Sequence, residues 1–104
     1  MNIEHLKKLV DEAEKLDPQN EVLWEINYNK RFFEMSKDLD ETIEYLNQCS
    51  ENELLWATEA LEELSEKFKS EKLIKCVEDN IKRCANEEVK KQLEMILEYM
   101  RYYI

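Results

Sequence analysis

An all-α fold is predicted by three observations. The chain of 104 residues contains no glycine and a single proline, Pro18. Its apolar residues recur at three- and four-residue steps almost throughout. Residues able to cap helices stand between those stripes at regular intervals. Average usage would supply about seven glycines in a chain of this length. Two-residue hairpins, phosphate-cradling loops and dinucleotide fingerprints need backbone at positive φ or in very close approach. The composition therefore points to helices and away from nucleotide-binding enzymes.

The first helix, over residues 3–16, carries Ile3, Leu6, Leu9, Val10, Ala13 and Leu16 on one stripe. Asp17-Pro18 then offers an N-cap and a proline at the first helical position, opening a second helix whose apolar stripe is Val22, Ile26 and Phe33. Asp38, with Glu41 three residues on, starts a short third helix bearing Leu39, Ile43 and Leu46. Ser50 and Glu53 form an S-x-x-E capping box, the clearest boundary in the chain, ahead of Leu54, Ala57, Leu61, Leu64 and Phe68. Ser70 caps a fifth helix with Leu73, Ile74, Val77 and Ile81. Asn86 caps a sixth, over 87–103, with Val89, Leu93, Ile96 and Met100.

The phrase Asn20–Trp24, NEVLW, returns as NELLW at Asn52–Trp56. Matching places near the starts of the second and fourth helices suggest two helix–turn–helix units, about 17–49 and 50–85. Such units bury their apolar faces only by stacking. One domain spanning 1–104 is expected, a small α-solenoid or an irregular bundle of about six short antiparallel helices. Trp24 and Trp56 are then expected to be buried at equivalent packing contacts.

Catalytic chemistry finds no support. His5 is the lone histidine and has no second histidine or close cysteine pair beside it, so no metal site or cofactor is expected. Cys49, Cys76 and Cys84 are an odd number. Cys76 and Cys84 share a helix, about 12 Å apart by helical rise, too far for a disulfide. Free thiols imply a reducing compartment, and the charged amino terminus is neither a secretion signal nor a membrane span. A cytoplasmic protein is expected, without membrane or nucleic-acid partners.

Charge is distributed unevenly. The net charge is −10, yet residues 38–66 hold ten acids and no base, so the rest of the chain is neutral. Elsewhere acids are answered four residues on by bases: Glu71 by Lys75, Glu78 by Lys82, Asp79 by Arg83, and Glu87 by Lys91. Within the block, Glu59, Glu62, Glu63 and Glu66 form one helical stripe, where only Glu63 has a base, Lys67, at that spacing. Asp40, Glu41, Glu44 and Tyr45 make a similar patch on the third helix. Together these eight residues are the candidate surface for a basic protein partner.

Two resemblances follow. LDPQNEVLW with DLDETIEYL, over residues 16–46, resembles a tetratricopeptide repeat, which would imply an adaptor for a protein or peptide. Tyr28 replaces the small residues of that family's helix, so its peptide clamp is not implied. The longer stretch SENELLWATEALEELSEKFKSEKLIKCVEDNI, residues 50–81, resembles the small acidic helical-repeat immunity proteins of contact-dependent growth-inhibition and related toxin systems. That resemblance implies a non-enzymatic cytoplasmic protein that neutralises a toxin domain, often a basic nuclease. The acidic surface is read from the residues themselves.

Overall fold

The computed structural model describes residues 1–103, with side chains described for residues 1–102. Among the described residues there are six helices, which account for 83% of the chain, and no strand. They are α1 (Ile3–Lys15), α2 (Glu21–Met35), α3 (Leu39–Gln48), α4 (Glu51–Phe68), α5 (Glu71–Arg83) and α6 (Glu87–Tyr103).

Most starts fall where a short polar side chain satisfies an otherwise unpaired amide. The side chains of Asn2, Asp38 and Ser50 each accept from the backbone N–H three residues on. Ser70 accepts from Lys72, and Asn86 from both Glu88 and Val89. The start of α2 differs from expectation. Asn20, not Asp17, caps it, accepting from the Leu23 N–H at 3.2 Å. Asp17 instead accepts from Gln19 and closes a turn back to Asn20, placing Pro18 in that turn and outside the helix.

α4 is the centre of the molecule, packing against α6, α2 and α1, while α6 also packs along α5 and α3 along α5. The helices thus pair across the two units suggested by the repeated phrase, and the arrangement is an irregular bundle. Leu54, Leu61 and Leu64 of α4 meet Leu73 and Val77 of α5 and Leu93 and Met100 of α6 in a core that excludes water almost fully. The Cα radius of gyration is 13.1 Å, that of a compact domain of this length.

Two connections lock each other. Arg83, at the end of α5, donates to the carbonyls of Leu46 (2.8 Å) and Cys49 (3.2 Å), the unpaired acceptors at the end of α3. Glu51, at the start of α4, accepts from the Ala85 and Asn86 amides between α5 and α6. Arg83 therefore does not answer Asp79, which pairs with Lys75 at 3.1 Å. Glu78 pairs with Arg101 of α6, not with Lys82.

The expected stripe on α2 is reversed. Val22, Ile26 and Phe33 face outward, and the helix buries Asn27, Arg31, Glu34 and Met35. The inward polar groups are fully used. Asn27 donates to the Leu9 carbonyl (2.8 Å) and accepts from Arg31 Nε (2.7 Å). Glu34 accepts from the Asn2 amide and from Lys37. Among the described residues no buried side-chain nitrogen or oxygen lacks a partner. Trp24 and Trp56 also depart from expectation, since both are half-buried. They face each other across α2 and α4 with ring centroids 5.5 Å apart. The buried guanidinium of Arg31 lies against Trp56, and the Trp24 N–H donates to the Asp17 carbonyl in the exposed turn, which holds the pair at the rim.

Candidate partner-binding surface

The acidic block folds into α3 and α4, where neighbouring helices sort its residues. On α4, Glu59, Glu62, Glu63 and Glu66 are all exposed, as their spacing predicts. Three are held by side chains from flanking helices. Arg31 Nη2 of α2 reaches Glu59 at 3.4 Å while Nη1 donates to the Trp56 carbonyl. The Tyr28 hydroxyl, also from α2, donates to Glu63 at 2.8 Å. From the other side, Tyr99 of α6 donates to Glu66. Glu62, between them, makes no ion pair among the described residues.

The expected pairing of Glu63 with Lys67 does not form, because the hydroxyl of Tyr28 is the nearer donor and the Lys67 ammonium lies toward the Phe68 ring. A tyrosine donor has a different consequence from a lysine. It fixes the carboxylate's position and leaves its negative charge intact. Burial, and then the bond to Glu63, push the Tyr28 hydroxyl above the ordinary tyrosine value, so it remains a donor at neutral pH.

On α3, Asp40 lies 3.8 Å from Lys72 of α5, and Glu41 accepts from the Met1 amino group. Glu44 is exposed and forms no ion pair among the described residues. Tyr45 is a correction: it is 3% exposed, packed in the core with its hydroxyl on Glu53 at 2.8 Å, and it cannot reach a partner. Its place beside Glu44 in the sequence put it with that patch, but α3 turns Tyr45 toward Glu53 of α4.

Tyr28, Arg31 and Tyr99 complete the surface and escaped sequence reasoning. Each lies 28 to 35 residues from the carboxylate it holds. No local spacing rule reaches so far. The other chemistry-bearing residues are inert or dispersed. All three cysteines are free and buried, and burial pushes the Cys49 and Cys76 thiols up to about 11. Cys76 underlies an open groove of about 440 Å³ between α3 and α5, rimmed by Asp40, Lys72, Lys75 and Asp79, but its thiol is protonated at neutral pH. His5 is exposed. Among the described residues no three histidines, cysteines or carboxylates are grouped to hold a metal ion.

Fold and surface together define an all-α protein with a preorganised acidic face on its central helix. No family model, curated protein or solved structure matches the chain. No helix among the described residues is long and apolar enough to cross a membrane.

Proposed function

We propose that this protein is a non-enzymatic cytoplasmic inhibitor, an immunity protein whose acidic face binds and occludes a cationic toxin domain, most simply a nuclease. The observation that carries the reading is the α4 stripe. Glu63 and Glu66 are tethered by tyrosine hydroxyls, and Glu62 stands between them in no ion pair among the described residues. A solvated face has no need of tethered carboxylates, because like charges at these spacings cost a few tenths of a kcal/mol per pair. Tethering lowers the side-chain entropy lost when a partner binds, and unneutralised charge accelerates encounter with a basic one. The groups at the centre of the stripe come from one rigid helix, which suits recognition of a fixed cationic surface.

The test is co-expression with the toxin domain encoded by the neighbouring gene, followed by growth and by association kinetics. Reversal of Glu44, Glu62 and Glu66 to lysine is expected to leave helicity unchanged, abolish protection and slow association by at least tenfold at low salt. A control triple, Glu71, Glu87 and Glu94 to lysine, removes equal charge elsewhere and is expected to retain protection. Equal loss from both triples, or an association rate indifferent to salt, would reduce the stripe to a solvated face.

A further inference from the structure

α2 turns polar side chains inward and leaves large apolar ones outward. Its inward side meets α1 and α4 through Asn27, Arg31 and the tryptophan pair. Its outward side leaves Val22, Ile26 and Phe33 67, 45 and 63% exposed. A cluster of large apolar side chains left in water marks a contact surface.

The outward side has an internal pattern. Val22, Ile26, Asn29 and Phe33 follow one another at steps of four, three and four, the seam spacing of a two-stranded coiled coil. Glu25 borders the seam on one flank and Lys30 on the other. Both are exposed, and neither is in an ion pair among the described residues. The five-residue step from Glu25 to Lys30 is the step by which one flank of a helix meets the opposite flank of a parallel, symmetry-related copy. In an antiparallel pairing like flanks lie side by side, so Glu25 of one copy and Lys30 of the other would fall on opposite sides of the seam and could not pair. The seam is therefore complementary to itself in one orientation only.

We propose that a second copy of this chain covers α2, the two helices pairing in parallel about a two-fold axis, with Val22, Ile26 and Phe33 interdigitating and Glu25 of each copy meeting Lys30 of the other. The usual obstacle to so short a coiled coil is the cost of forming the helix, and here α2 is already held by the rest of the fold. The seam from Val22 to Phe33 runs for about 17 Å. Three large apolar side chains from each copy make a small contact for a specific interface, so the dimer is reversible and sensitive to concentration. The excess negative charge sits in residues 38–66, outside the seam, and leaves the pairing surface close to neutral.

Sedimentation equilibrium on the full chain tests this directly. The weight-average mass is expected to rise from the 12.7 kDa monomer toward twice that value as concentration goes from about 10 μM to about 1 mM. Ile26→Asp, an exposed change, is expected to keep the circular dichroism spectrum and remain monomeric. Glu25→Lys or Lys30→Glu alone puts like charges across both symmetric contacts and is expected to weaken association about tenfold, while the double exchange restores it. The Glu44, Glu62 and Glu66 reversal is expected to leave association unchanged, so the dimer and the acidic face succeed or fail separately. A wild-type chain that stays monomeric to about 1 mM overturns the proposal and leaves α2 to a different partner. Single charge reversals with no effect overturn the parallel pairing.

Discussion

Burial of Arg31 obliges its guanidinium to find acceptors within the protein, and it finds them on two helices. It takes Asn27 on its own helix and the Trp56 carbonyl and Glu59 carboxylate on α4, and its face lies 5.3 Å from the Trp56 ring centroid. Only a planar fork serves three directions at once, so lysine would not replace it. One other residue carries an unusual burden. Lys69 ends α4 at φ 46° and ψ 46°, the left-handed region that a Cβ disfavours by about 1–2 kcal/mol. Glycine would relieve that strain and give back part of the gain through greater freedom in the unfolded chain. Lys69→Gly is therefore expected to raise stability by about 0.5 kcal/mol, read as a higher urea midpoint, with Lys69→Ala unchanged. A lower midpoint for the glycine variant would show that the Lys69 side chain contributes more than its backbone costs.

Between elements, the contact of α2 with α4 combines rings and charge. Trp24 and Trp56 meet at 5.5 Å and an interplanar angle of 33°, a tilted pair of the favourable kind. Removing either ring should cost more than its own packing, because the partner then loses a ring and gains water. A double-mutant cycle with Trp24→Ala and Trp56→Ala is expected to give a coupling of about 1 kcal/mol in urea unfolding. Additive losses would mean that the rings share a place on the surface without stabilising one another. The exchange between Arg83 and Glu51 is the counterpart at the start of α4, where each connection supplies the hydrogen bonds the other lacks.

For the whole molecule, acid is the sharpest probe. Glu34 is 6% exposed. Burial tends to raise its pKa, but the Asn2 amide and Lys37 outweigh that and hold it below the ordinary glutamate value. Glu51 is lowered too, chiefly by the Asn86 amide. A carboxylate lowered by folding contributes stability above its unfolded pKa and loses that contribution as pH falls through the folded value. The urea midpoint is thus expected to drop between about pH 5 and pH 3. Relief of the net negative charge acts in the opposite direction, so the comparison that isolates Glu34 is a variant. Glu34→Gln is expected to be less stable at pH 7 and to show a shallower acid slope. An identical slope would show that Glu34 is not a source of the acid sensitivity.

Much of this was legible because it depends on short separations. Four of the six helices, α3 to α6, begin at the capping residue the sequence predicts, and Ser50 with Glu53 marks α4 as the capping box requires. The exposed stripe of Glu59, Glu62, Glu63 and Glu66 follows from helical periodicity alone, whereas Cys84, expected to share a helix with Cys76, caps the end of α5 instead. Periodicity also shows that α2 has apolar residues on more than one side, but it does not say which side the core will take. Tertiary packing made that choice by bringing Leu9, Trp56 and Glu59 opposite Asn27 and Arg31, where hydrogen bonds compensate the burial of polar groups and leave Val22, Ile26 and Phe33 outside. It likewise moved Tyr45 from the acidic patch into the core and recruited Tyr28 and Tyr99 to the α4 stripe. The local sequence determines which residues share a helix face. Which faces meet is decided by contacts between residues far apart in the chain, and only folding brings those together.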